Sequence, residues 1–171
     1  MPLPSQQAPR KLDWSTVLQG QDAIKHVSQM EGRPLSSKEA RVIELEGYVP
    51  YAYYDTKQVP TYGVGQTKKW MDKPFSESFK AHEDRARKAI PSYDKLPEYL
   101  QSELTQAEYR GDLGISPTFK KLFNKGKYKE AAKEFLNHEE YLDPNTPAQI
   151  KQRLESVAKA VAHYAAGNQG K

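Results

Sequence analysis

Apolar residues recur at helical spacing over most of the chain, but one stretch breaks that rhythm. From Asp13 to Met30 the residues Trp14, Val17, Leu18, Ile24 and Val27 fall at roughly helical intervals, interrupted by Gly20 and closed by Gly32 and Pro34. This predicts one or two short helices. The next helix has a clear start, because Ser36-Ser37-Lys38-Glu39 has the form of a capping box, with Leu35 and Ala40 placed for a hydrophobic staple. It is predicted to run to Glu46 and stop at Gly47 in a left-handed cap. The period then shortens. Tyr48 to Tyr54 is rich in aromatics and Val59 to Val64 carries β-branched residues, with Asp55-Thr56-Lys57-Gln58 between them. A β-hairpin is expected, extended by a third short strand near Gln66-Thr67, and Pro50 and Pro60 keep its strands at an edge or irregular.

Beyond Lys73 the helical period returns. Phe75, Phe79, Ala86 and Ile90 mark one helix closed by Pro91, and Leu100, Leu104, Ala107 and Tyr109 mark another starting near Pro97. Ser116-Pro117 and Thr146-Pro147 read as a cap followed by proline at the first helical position. Between them Gly126 separates Phe119–Phe123 from Tyr128–Leu136, and Ile150, Leu154, Val157, Val161 and Tyr164 mark the last helix. Helix, small hairpin lobe, then all-helical lobe define an α+β class with segregated strands. Residues 1 to about 11 are polar, hold three prolines and are expected to be disordered or loosely packed. The expected organisation is a partly helical N-terminal extension over 1–33, a main domain over 34–166 and a flexible tail over 167–171.

Composition narrows the chemistry. The 171 residues include no cysteine, so neither a disulfide frame nor a thiol nucleophile is possible. The excess of 26 Lys and Arg over 22 Asp and Glu gives a net charge of +4, a mild preference for a polyanionic surface. No run of about 18 apolar residues is present, so no stable membrane insertion is expected. The N-terminus lacks a basic start followed by an apolar stretch and does not read as a standard signal peptide. Synthesis in a cytoplasm, with release or delivery by other means if the protein works outside it, is the matching expectation. The four histidines are widely spaced, and His82-Glu83 lacks a second His four positions on, so no zinc-protease motif exists and no metal is implied. The lysines from Lys120 to Lys129 read as a solvated helix face with Phe123 and Tyr128 in the core rather than a nucleic-acid contact.

Two carboxylates stand out by placement. Glu46 follows Ile43 by three residues and Val42 by four, so it shares their apolar face, and it is the last residue of its helix. Partial burial and the negative end of the helix dipole both disfavour its charged form, as a general acid near neutral pH requires. Asp55 follows at once, at the polar first turn of the hairpin, where an ionised form is favoured. Taken singly, each has an ordinary explanation: a carboxylate at a helix end, and an Asp that starts a turn.

Their combination is more specific. Glu46-Gly47-Tyr48-Val49-Pro50-Tyr51-Ala52-Tyr53-Tyr54-Asp55, followed by Val59-Pro60-Thr61-Tyr62-Gly63-Val64-Gly65-Gln66-Thr67, closely resembles the signature of the phage-type lysozymes, or endolysins, of glycoside hydrolase family 24. In that family a helix ends in Glu-Gly, an Asp follows nine positions after the Glu, a Thr six after the Asp, and a Gly-x-Gly closes the hairpin; here the intervals are the same. Weaker resemblance extends over roughly 36–165, through Ser116 to Gly126, Tyr128 to Phe135 and Gln149 to Glu155. The resemblance implies a lysozyme-like fold with a cleft between hairpin and helical lobes. It also implies a monomeric, cofactor-free hydrolase that cuts the β-1,4 bond between N-acetylmuramic acid and N-acetylglucosamine in bacterial peptidoglycan. Glu46 would protonate the glycosidic oxygen, Asp55 would stabilise the oxocarbenium charge or activate water, and Thr61 would position that water. Gly63 would let the backbone approach the sugar, with Gln66 and Arg110 as further substrate contacts. Inversion is the expected outcome, with the carboxylates about 6.5–9.5 Å apart. A lytic transglycosylase and a non-catalytic peptidoglycan-binding virion module are the alternatives.

Two positions depart from the family's habit. Gln66 stands where His is common and cannot titrate. Arg110 follows Tyr109 where Asn or Gln is frequent; it either binds substrate or pairs with Asp112 or Glu108, and pairing is the preferred reading. Of the 11 tyrosines, four lie in Tyr48–Tyr54, where some must pack the hairpin and others suit a sugar groove.

Overall fold

The computed structural model describes residues 2–168. Two compact units divide the chain, Met1–Ala81 and His82–Lys171. Among the described residues no helix is long and apolar enough to cross a membrane.

The first unit begins with short 3-10 turns at Pro4–Gln6 and Trp14–Thr16, then two helices, α1 (Gly20–Glu31) and α2 (Ser37–Glu46). The two helices pack together, burying Ala23 and Val27 of α1 and Val42 and Ile43 of α2. The start of α2 is the expected capping box: the Ser36 hydroxyl accepts the Glu39 N–H at 3.1 Å, and the Glu39 carboxylate accepts the Ser36 N–H at 3.0 Å. Arg33 braces it by donating to both Glu39 oxygens, at 3.0 and 2.7 Å. Its far end differs from expectation. Gly47 has φ +71° but an extended ψ of −173°, so the helix stops in a sharp turn rather than a left-handed helical cap. A side chain there would approach the Leu18 carbonyl oxygen at 3.0 Å, because Leu18 and Tyr48 exchange both backbone hydrogen bonds across that point.

A three-stranded antiparallel sheet follows, ordered β1 (Val49–Tyr54), β2 (Pro60–Gly63) and β3 (Gln66–Thr67). Tyr53 pairs with Thr61, and Thr61 in turn with Thr67. The β1–β2 register is irregular between Val49 and Tyr53, the stretch that holds Pro50, which has no N–H for the ladder. The N-terminal residues expected to be loose are instead built onto this sheet. Arg10 donates its N–H to Ala52 and accepts that of Tyr54, both at 3.1 Å, while the Gln7 side chain accepts the Ala52 N–H. Ser5 bonds the Asp72 carboxylate through both its N–H and its hydroxyl. The cause is the outer edge of β1, whose backbone groups need partners that a proline-rich, extended segment supplies.

Helix α3 (Phe75–Ala89) crosses the boundary between the units. The second unit continues with α4 (Glu98–Arg110), α5 (Pro117–Asn124), α6 (Tyr128–Phe135), α7 (Glu139–Leu142) and α8 (Ala148–Gly167). Helix α8 packs on α4 and α6, and α5 on α6. Their apolar faces meet in one core that includes Ile90, Leu100, Leu104, Phe119, Phe123, Phe135, Leu154 and Val161. Phe123 and Tyr128 lie in or against that core, edge to face at 4.9 Å.

Two helix starts differ from expectation. The Ser116 hydroxyl donates to the Asp112 carbonyl instead of capping α5, and Pro147 rather than Thr146 stands at the cap of α8. The single turn α7 is too short to register as a period. Of the flexible tail expected at 167–171, Gly167 ends α8 and Asn168 follows it; residues 169–171 lie outside the described residues.

Candidate active site

Glu46 sits where helix geometry places it, as the last residue of α2, half-buried beside fully buried Ile43. Its carboxylate lies against the β2–β3 turn. A Cβ on Gly65 would stand 2.9 Å from the Glu46 Cδ, so a side chain there would push the carboxylate aside, and its φ of +57° independently favours glycine.

Asp55 opens the turn after β1. Its Oδ1 accepts the N–H groups of Lys57 and Val59, each at 2.8 Å, and its own N–H donates to the Val59 carbonyl. The turn-forming role is thus real, and it is carried by one of the two carboxylate oxygens. Thr61 is buried in β2, and its hydroxyl donates to the Val59 carbonyl at 2.9 Å.

Tyr53 links these residues. It is buried, and its phenol is raised well above the ordinary tyrosine range, first by burial and then by the negative charges of Glu46 and Asp55. One phenol therefore lies within electrostatic reach of both carboxylates. On the sheet it stands directly opposite Thr61. Sequence spacing did not single out Tyr53 among its neighbours, because only the strand register shows which tyrosine faces Thr61.

Other expected contacts have internal partners. Gly63 is the buried last residue of β2, paired with Val49. Gln66 is also buried: its Nε2 donates to the Trp70 and Lys73 carbonyls at 2.8 and 2.9 Å, and its Oε1 accepts the Val64 N–H at 3.3 Å. The amide ties the hairpin to the following turn, a task that needs donor and acceptor on one side chain.

Arg110 belongs to the second unit, at the end of α4. Its guanidinium donates to Asp112 at 2.7 Å and to Glu140 at 2.5 Å, so the pairing with Asp112 is realised and Glu140 takes the place expected of Glu108. His138 accepts the Glu140 N–H on Nδ1 and turns Nε2 towards Asp112 at 3.4 Å. Burial raises the Asp112 carboxyl despite the pull of Arg110, Arg153 and His138. Asp112, His138 and Glu140 bring ligand atoms within 4.8 Å of one another, an arrangement that resembles a metal site. Arg110 already bonds both carboxylates, however, and a divalent ion would have to displace its guanidinium. The cluster fits an internal ion-pair network better. Arg153 is likewise engaged, donating to the Gln106 side chain at 2.7 Å.

Neither a protein-family profile nor a curated protein sequence matches the chain. Among solved structures it is similar to the P1 phage endolysin Lyz in its active form, with a TM-score of 0.61 and 14% sequence identity, over 90% of this chain and 98% of the endolysin chain. At that identity the likeness is one of fold: an α+β, lysozyme-like architecture, mostly helical with a small three-stranded antiparallel sheet.

Proposed function

We propose that this protein is a phage-type lysozyme that hydrolyses the β-1,4 bond between N-acetylmuramic acid and N-acetylglucosamine in peptidoglycan. The observation that carries this reading is the setting of two carboxylates around one hairpin: Glu46 ends α2 with its carboxylate against the glycine turn at Gly65, and Asp55 opens the turn after β1 with one oxygen committed to the backbone. Paired carboxylates are the working parts of most glycosidases. The endolysin-like fold and the spacing from Glu46 to Gly65 support the same substrate.

Glu46 delivers its proton to the glycosidic oxygen as the bond breaks. Asp55, with Oδ1 holding the turn, offers Oδ2 to the developing oxocarbenium charge or to an attacking water. Thr61 positions that water, and Gly63 keeps the adjoining strand free of a side chain. The enzyme acts as a monomer on the periplasmic wall after synthesis in the host cytoplasm, and needs neither metal nor organic cofactor.

The test is a digest of purified cell-wall sacculi followed by mass analysis of the released muropeptides. Hydrolysis leaves reducing muramic-acid ends; 1,6-anhydro ends would replace the hydrolase with a transglycosylase. Glu46→Gln keeps the side-chain shape and removes the acid, so release should fall by at least about 100-fold, the lower range for a positioned general acid. Undiminished release by that variant would overturn the assignment.

A further inference from the structure

A groove of about 700 Å³ opens beside the hairpin turn, lined among others by Pro9, Lys11, Trp14, Tyr53, Tyr54 and Asp55. Half of these residues come from the N-terminal segment and half from β1 and its turn. We propose that this groove is an additional sugar subsite, which takes an N-acetylated, carboxylate-bearing ring of the glycan strand with the Trp14 indole as its stacking platform. The proposal rests on the lysozyme reading, because Asp55 belongs both to the groove and to the reaction centre.

Exposure first marks the site. Trp14 is 67% exposed and Tyr54 41% exposed, large aromatic faces left in water within one concave surface. A flat face with a polar edge suits the C–H face of a pyranose ring, as an aromatic body with a polar tip suits any half-wet partner. Lys11 adds a cation for the carboxylate of a muramyl ring or its peptide stem. The groove's volume falls within the range of built ligand sites.

Rigidity is the second argument. The turn that carries Trp14 is fastened at each side. Asp13 accepts the Ser15 N–H at 3.0 Å and gives its own N–H to the Tyr51 hydroxyl at 3.1 Å. Thr16 bonds the Asp13 carbonyl at 2.7 Å and the same Tyr51 hydroxyl at 2.6 Å. The Arg10 guanidinium lies 3.7 Å over the Tyr51 ring, while the Arg10 backbone pairs with β1. An exposed indole on a braced turn loses little freedom when a ligand arrives, which is the condition for a preformed contact. This assigns the segment before α1 to the substrate site.

The experiment measures steady-state release of reducing ends from soluble, stem-bearing glycan strands by the full chain. Trp14→Ala should raise KM about 3- to 10-fold, the worth of one aromatic stacking contact, with kcat changed by less than about twofold. Trp14→Phe should recover most of the loss. Tyr54→Ala, in the same groove, should raise KM in the same direction and guards against a folding defect in the first variant. Wild-type KM in both alanine variants would overturn the subsite and leave the lysozyme reading standing, as would a fall in kcat at constant KM. A wild-type chain that releases no ends would overturn the lysozyme reading and the subsite with it.

Discussion

Gly65 decides how closely the Glu46 carboxylate can approach the backbone of the β2–β3 turn. Two constraints meet there, a φ of +57° and the carboxylate 2.9 Å from where a Cβ would stand. Gly65→Ala therefore carries a backbone penalty of about 1 kcal/mol and also pushes the carboxylate aside. A shift near 1 Å in a reacting group costs about 100-fold in rate, whereas 1 kcal/mol moves the melting point of a chain of this size by only about 2–4 °C. Under the lysozyme reading, the expected result is a folded protein with cell-wall release reduced by about two orders of magnitude. Calorimetry and turbidity loss of permeabilised cells check the two halves separately, and a variant that melts normally yet keeps full activity would remove Glu46 from the chemistry. Tyr53 lies within electrostatic reach of both carboxylates and stands opposite Thr61 on the sheet. Burial first, and then the charges of Glu46 and Asp55, raise its phenol above the ordinary tyrosine range.

Helix α2 carries Glu46 at one end and Glu39 at the other. Burial alone would raise the Glu39 carboxyl, but the Arg33 guanidinium and the Ser36 N–H outweigh it and hold the group below the ordinary carboxylate range. A depressed folded-state value gives stability that is fully present above the unfolded value, about 4.3, and is lost as pH falls through the lower folded value. Glu39→Gln should cost on the order of 1 kcal/mol at pH 7, as for one charged hydrogen bond in a partly exposed pair. That difference from the wild type should vanish on acidification below the folded value. Denaturant melts of both proteins across the acid range check it, and a gap that persists in acid would show that the effect is packing rather than charge. This end of the helix was legible before the structure because Ser36 and Glu39 act over three residues of chain. So was the hairpin with its third strand, and so was the spacing from Glu46 to Gly65. What was not legible depends on partners distant in sequence. The pairing of Arg10 with β1 joins residues 43 positions apart, and no local pattern in a proline-rich segment announces it. The places of Tyr53 opposite Thr61 and of Arg110 between Asp112 and Glu140 are likewise consequences of register and packing.

Charge acts on the scale of the whole molecule. The surplus of four cations is small, but the positive side chains are unevenly distributed along the chain. Lys121, Lys125, Lys127, Lys129 and Lys133 are exposed on α5, α6 and the turn between them, while Phe119, Phe123 and Phe135 turn into the core. The aromatics therefore have a packing role, and the lysines form a solvated basic strip. Sacculi carry stem-peptide carboxylates at high density, so under the lysozyme reading this strip draws the enzyme to the wall before any sugar enters the site. Such attraction between exposed charges reaches about 10 Å at 0.1 M salt and about 3 Å at 1 M. Replacing Lys121, Lys129 and Lys133 together by Gln should weaken adsorption to sacculi about 10-fold at low ionic strength, roughly 0.5 kcal/mol for each exposed charge removed. The difference should disappear at 1 M salt. Turnover of short soluble oligosaccharides should be unchanged, because the strip lies on helices remote in sequence from Glu46, Asp55 and Thr61. Co-sedimentation with sacculi across a salt series, alongside soluble turnover, separates the two effects. Equal adsorption by the triple variant at low salt would show that these three lysines do not draw the protein to the wall.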